Sequence, residues 1–207
     1  MISHKHQCIF IHIQRTGGTS IEHWFLNHTM WDENPSLKHL TAPQAKLIYK
    51  DYWNDYYKFS IIRNPYNRFV SMFKYRNHFC LKLDKNNELN IKNYIKKYCP
   101  NINQPLEYDH RFISFQEIEY IYKKFNTQLN EGSLYQNILG EEMDDIFKYE
   151  ELDGALKQLA SRFNLNIENF LHKEKFNNKG NLKLNSESLE IIKIIHKNDF
   201  EKFKLNL

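Results

Sequence analysis

Gln14-Arg15-Thr16-Gly17-Gly18-Thr19-Ser20 follows directly on an apolar run, Cys8-Ile9-Phe10-Ile11-His12-Ile13. After it comes an amphipathic pattern with Ile21, Trp24, Phe25 and His28 on one face. Strand, glycine turn and helix in that order set free backbone N–H groups and a helix N-terminus around an anion. Gly17 and Gly18 let the backbone come close to a phosphate. Arg15 and the hydroxyls of Thr16, Thr19 and Ser20 can complete the cradle. The stretch therefore predicts a phosphate-bearing ligand held at the end of a strand.

The surrounding pattern extends this unit into an α/β fold. Residues 8–13 read as a buried strand, because the run is unbroken and rich in isoleucine. Thr19 and Glu22 fit a capping box for the first helix, and Thr41 and Gln44 fit another, with Pro43 in its first turn and a helix to about Lys50. Residues 57–62 read as a second strand ending at Arg63. Asn64 is then an N-cap with Pro65 at the first helical position, and Phe69, Val70 and Phe73 form the apolar face. Residues 145–149 read as a third strand, with a helix over 153–163. Helices are also expected over 114–125 and over 186–203, the latter with Leu189, Ile192, Ile195 and Phe200 inward. The stretch 173–185 reads as a loop. The Asn- and Lys-rich stretch 82–104 reads as a surface excursion or lid, with a helix near 91–98. Strands alternating with helices predict a parallel sheet covered on both faces, in one domain spanning 1–207. Ligands in such folds sit beyond the carboxyl ends of the strands. Arg15 and Arg63 both follow strand ends, which predicts that they share one edge of the sheet.

Arg63 and Ser71 make a second constellation. Ser71 lies almost two helical turns after Asn64, so it returns to the face of the cap. The planar guanidinium of Arg63 suits the oxygens of a phosphate.

Composition narrows the classes. The chain has 207 residues, 41% of them hydrophobic and 15% aromatic, which fits a folded protein rather than a disordered one. Its formal charge of +4, from 29 basic and 25 acidic side chains, is too mild to argue for nucleic acid. Cys8, Cys80 and Cys99 are odd in number and widely spaced, and suggest neither a disulfide framework nor a zinc site. His4 and His6 read as a disordered terminus, and His12 as a strand residue, so no metal site is expected. The apolar run is too short for a signal or membrane segment, and a soluble, cytoplasmic protein is expected.

The two constellations together resemble a known family. Phe10-Ile-His-Ile-Gln-Arg-Thr-Gly-Gly-Thr-Ser20 resembles the 5′-phosphosulfate loop of the sulfotransferases. Phe59-Ser-Ile-Ile-Arg-Asn-Pro-Tyr-Asn-Arg-Phe-Val-Ser71 resembles their 3′-phosphate motif. The likeness is greatest to the branch of heparan-sulfate and chondroitin-type carbohydrate sulfotransferases and their bacterial relatives. It takes in Lys38-His39-Leu-Thr and, more weakly, Phe147-Lys-Tyr-Glu150 and Asn198-Asp-Phe200. It implies a P-loop-like three-layer α/β/α fold and 3′-phosphoadenosine 5′-phosphosulfate (PAPS) as sulfate donor. The family more often has Lys where this chain has Arg15. Arginine keeps the charge but is no proton donor near neutral pH. The kinase signature Gly-x4-Gly-Lys-Ser/Thr is absent, which disfavours a nucleoside triphosphatase.

On that resemblance Arg15 and the turn N–H groups serve the leaving phosphate. Thr16, Gly17, Gly18, Thr19 and Ser20 hold the 5′ side, and Arg63 and Ser71 hold the 3′-phosphate. A histidine at a similar distance before the Arg-x-Pro motif is the base in the resembling enzymes, which points to His39. His110, beside Asp109, is the rival. The acceptor expected is a hydroxyl of a saccharide. Trp31, Trp53 and Tyr75 are candidate stacking surfaces, and Asn178 and Lys179 candidate donor contacts. The basic stretch Lys82 to Lys97 reads as a solvated face that can meet an acidic polysaccharide. Two other classes stay open: a phosphate-binding regulator without chemistry, and a nucleic-acid-binding module.

Overall fold

The computed structural model describes residues 1–74, 82–83, 85–86, 88–90, 132–171 and 183–206. The helices expected near 91–98 and over 114–125 lie outside these residues, as do Tyr75, Cys80, Cys99, His110, Asn178 and Lys179. In chain order the described elements are β1 (Ile2–Ser3), β2 (Cys8–Ile11), α1 (Gly18–Leu26), α2 (Met30–Glu33), α3 (Ala42–Ile48), β3 (Tyr57–Ile62), α4 (Pro65–Lys74) and β4 (Lys82–Leu83). They continue with β5 (Leu89–Asn90), α5 (Leu134–Leu139), β6 (Asp145–Lys148), α6 (Leu152–Phe163), α7 (Ser186–Ile195) and α8 (Lys197–Lys202). The chain divides into two compact units, one of residues 1–63 with 138–175, the other of 64–137 with 176–207.

The first unit is built on a four-stranded sheet in the order β1-β2-β3-β6. β2, β3 and β6 run parallel, with Ile11 beside Ser60 and Ile62 beside Lys148. β1 pairs antiparallel with β2, Ile2 against Ile9, so the sheet is mixed rather than purely parallel. The N-terminus is therefore not frayed as expected. Met1 is buried, its nitrogen donates to the Phe10 carbonyl at 2.9 Å, and His4 Nδ1 meets the Tyr56 hydroxyl at 2.9 Å. The physical reason is that the free edge of β2 gains backbone partners, which a two-residue strand can supply.

Both faces of the central strands are buried, which accounts for the unbroken apolar runs. Cys8, Phe10, Phe59 and Ile61 pack against Ile21, Trp24 and Phe25 of α1 and Leu152, Leu156 and Leu159 of α6. Ile9, Ile11 and Ile62, on the reverse face, are equally buried. The Phe59 ring centre lies 5.0 Å from that of Phe10 and 5.6 Å from that of Phe25, both tilted contacts, so these aromatics build core. Trp53 is also buried and donates to Glu142 at 2.6 Å. Trp31 is exposed. The Thr41–Gln44 capping box forms as expected and opens α3.

In the second unit Asn64 caps α4, its Oδ1 accepting from Tyr66 N at 3.0 Å and Asn67 N at 3.4 Å. The buried side of α4 is Arg68, Phe69 and Met72, while Val70 is half-buried. β4 and β5 form an antiparallel pair inside the expected excursion. The single helix expected over 186–203 is two, α7 and α8, parted at His196. There the buried Asp199 accepts from His196 Nδ1 at 2.7 Å and from the Tyr135 and Gln136 N–H groups at 3.0 and 3.3 Å. The break turns Asp199 inward to satisfy the N-terminus of α5, a tertiary demand that helical periodicity does not record.

Candidate active site

β2 and β3 lie side by side and run the same way, so Arg15 and Arg63 leave the sheet at one end. They meet: Arg63 Nη1 donates to the Arg15 carbonyl at 3.3 Å. The Arg63 guanidinium also lies 4.4 Å from the centre of the Tyr149 ring, which follows β6. Three parallel strand ends thus contribute to one place.

The turn itself is tightly wound. Arg15 at φ 65° and Gly17 at φ 85° are both left-handed, a conformation that costs a non-glycine residue about 1–3 kcal/mol. Buried Thr16 donates its hydroxyl to the Ile13 carbonyl at 2.8 Å, which ties the turn to the strand. That proton is committed inward, so toward a phosphate Thr16 offers backbone rather than its hydroxyl proton. Gly17 is the N-cap of α1, and no side chain takes that role. The N–H groups of Ser20 and Ile21 both return to the Gly17 carbonyl, at 3.0 and 3.4 Å. Those of Gly18 and Thr19 precede the first bonded turn and have no intrahelical partner. A Cβ on Gly17 would come within 3.0 Å of the Tyr149 ring, and one on Gly18 within 2.0 Å of the His12 ring. Glycine is required at both positions. Two helix-start N–H groups in a turn that also carries Arg15 form a donor set suited to a phosphate-like anion.

Glu22 does not join Thr19 in the expected capping box. Its side chain turns inward and is fully buried. Oε1 accepts from His12 Nδ1 at 2.6 Å, and Oε2 from the Met30 N–H at 3.1 Å and from Lys38 Nζ. Burial pushes the Glu22 carboxyl up, but His12 and Lys38 outweigh it and hold it at about 2. An ionised carboxylate has no proton to give, so the shared proton sits on His12 Nδ1.

His39 follows Lys38 and lies beside His12, with ring centres 4.5 Å apart. Its Nδ1 is 3.0 Å from the His12 carbonyl. A carbonyl only accepts, so Nδ1 carries the proton, and in the neutral ring Nε2 holds the lone pair. Burial lowers the His39 basicity well below 6.5, with His12 adding to the effect, so the ring is neutral at physiological pH.

The first unit therefore brings together Arg15, Thr16, Gly17, Gly18, Thr19, Ser20, Arg63 and, through His12, His39. Ser71 belongs to the second unit, half-buried on α4. Sequence reasoning missed Glu22, His12 and Tyr149 as members of this region. His12, Tyr149 and the neighbouring Lys38 did carry a signal, because each stands in a stretch that resembles the family.

The family model described as Sulfotransferase family matches residues 1–206. The chain belongs to the sulfotransferase family. Sulfotransferases of this family depend on PAPS, and the protein is a PAPS-dependent enzyme of that kind. No curated protein and no solved structure matches the chain. The sulfotransferase has no described helix long and apolar enough to cross a membrane. Among its described residues no group of three or more His, Cys, Asp or Glu could hold a metal ion.

Proposed function

We propose that this sulfotransferase moves a sulfuryl group to a hydroxyl of a saccharide by in-line transfer, with His39 as base, on a P-loop-like three-layer α/β/α fold. PAPS supplies the sulfuryl group: its sulfur–oxygen bond to the 5′-phosphate breaks, a bond to the acceptor oxygen forms, and adenosine 3′,5′-bisphosphate leaves. His39 Nε2 takes the acceptor's hydroxyl proton, and its Nδ1–H stays on the His12 carbonyl. Arg15 and the N–H groups of Gly18 and Thr19 stabilise charge on the leaving phosphate. Thr19, Ser20 and the backbone at Thr16 and Gly17 hold the 5′ side. Arg63 is assigned the 3′-phosphate, and Ser71 is assigned to it by its spacing from Asn64.

The observation that carries this reading is the commitment of His39 Nδ1 to the carbonyl of His12, the residue that follows β2 and leads into the anion turn. It supports a neutral imidazole with its lone pair on the other nitrogen, as a base requires. The saccharide acceptor is supported by the likeness of both motifs to the carbohydrate branch. A cytoplasmic location is supported by the odd, scattered cysteines.

The test is mass-spectrometric detection of sulfate transferred from PAPS to unsulfated chondroitin, heparosan and a panel of oligosaccharides, with His39→Ala beside the wild type. Transfer by the wild type, reduced at least about a hundredfold in the variant, is expected. Binding of adenosine 3′,5′-bisphosphate without transfer to any hydroxyl would overturn it in favour of a regulator.

A further inference from the structure

The buried carboxylate of Glu22 joins parts of the first unit that the sequence leaves far apart. One oxygen holds the His12 ring, and the other holds Lys38 and the Met30 N–H. His12 in turn does two things. Its ring lies under the anion turn, so close to Gly18 that a Cβ there would fall 2.0 Å from Cδ2 and 2.2 Å from Nε2. Its carbonyl takes the His39 Nδ1 proton. Lys38 precedes His39 directly, is itself buried, and lies 5.4 Å from the centre of the Trp31 ring, which also faces His39.

A lone buried carboxylate or ammonium is costly, and a buried pair is often no more stabilising than apolar side chains of the same shape. Fold stability alone therefore gives little reason for charges here. Geometry gives one, because a charge-assisted hydrogen bond fixes direction as well as distance.

We propose that Glu22, with His12 and Lys38, forms a positioning cluster in which one buried carboxylate couples the anion turn to the base. The proposal rests on the reading of the turn as the PAPS site and of His39 as base. Glu22 sets the His12 ring that supports Gly18, and it neutralises the Lys38 cation beside His39. The charged and titratable groups acting on His39 are His12 and Lys38, which oppose its protonation, and Glu22, which favours it.

The experiment needs no acceptor. In Lys38→Met the opposing cation is gone and Glu22 remains. Nitrogen-15 NMR of the histidine rings, with His39 assigned by its loss in His39→Gln, should show the His39 midpoint rising by about half a pH unit or more, with the Nδ1–H tautomer retained. Glu22→Asp keeps the charge but is too short to span both partners, and should weaken adenosine 3′,5′-bisphosphate about tenfold. His12→Asn carries no change of charge, retains a donor for Glu22 and removes the ring under Gly18. It should weaken that ligand to a similar degree while still unfolding cooperatively, and it carries the test of the turn if the charge variants do not fold. An unmoved His39 midpoint in Lys38→Met overturns the link to the base. Ligand affinity within twofold of wild type in His12→Asn overturns the link to the turn. These results stand apart from the parent reading, which fails if the wild type does not bind adenosine 3′,5′-bisphosphate or if His39→Ala keeps full turnover.

Discussion

The Arg63 guanidinium donates to the main-chain carbonyl of Arg15 at 3.3 Å, so the residue just past β3 is tied to the turn that follows β2. Arg63→Ala should weaken adenosine 3′,5′-bisphosphate by tenfold or more, in line with about 1.5–3 kcal/mol for a hydrogen bond to a charged group. It should change the affinity for 5′-ADP much less. Arg63→Lys should restore only part, since lysine lacks the planar fork and the stacking on Tyr149. Calorimetric titration of both nucleotides checks this, and equal losses for the two would remove Arg63 from the 3′-phosphate.

Burial holds His39 well below 6.5, so its base form already dominates at neutral pH. The expected kcat profile is flat through neutrality, with its acid limb well below 6.5. Turnover against pH at saturating PAPS is the measurement. An acid limb at or above 6.5 would contradict the burial of the base.

Gly18 leaves no room for a side chain, because a Cβ would fall 2.0 Å from the His12 ring. Gly18→Ala should cost about 1–3 kcal/mol in urea unfolding, the usual range for overpacking. Adding His12→Ala should relieve part of that cost, although each change alone destabilises. Simple additivity of the two would mean that they do not touch.

Burial lowers the proton affinity of His12, His39 and His196 below 6.5 in the folded protein. Below that pH the unfolded chain binds more protons than the folded one, so stability is lost as the pH drops. Glu22, held at about 2 against 4.5, adds a second loss as pH drops from about 4.5 toward 2. The melting temperature should therefore decline from about pH 6.5 downward and more steeply below about 4.5. A melting temperature constant between pH 7.5 and 5 would contradict the neutral, buried histidines.

What was legible in the sequence was local. The run at 57–62, the Thr41–Gln44 box and the Asn64-Pro65 helix start each follow from a few neighbouring residues and form as read, while the run at 8–13 forms a strand only over Cys8–Ile11. The misreadings share one cause. Thr19 and Glu22 have capping-box spacing, but Glu22 has better partners in His12 and Lys38, which only the folded chain brings near. The pattern over 186–203 continues unbroken through His196, and only the demand of Tyr135 and Gln136 for an acceptor turns Asp199 inward. Ile2 and Ser3 look like a tail until the edge of β2 supplies backbone partners. Long-range polar demands overrode local pattern in each case.

Thermal unfolding with adenosine 3′,5′-bisphosphate, 5′-ADP and ATP in parallel tests the central claim most directly. At a hundred times its dissociation constant the 3′-phosphorylated product should add about 2.7 kcal/mol. For a chain of this length that is about 5–11 °C in Tm, and the other two nucleotides should give much less. No shift, or a larger one with ATP, would contradict a PAPS site built from Arg15, the Gly17-Gly18 turn and Arg63.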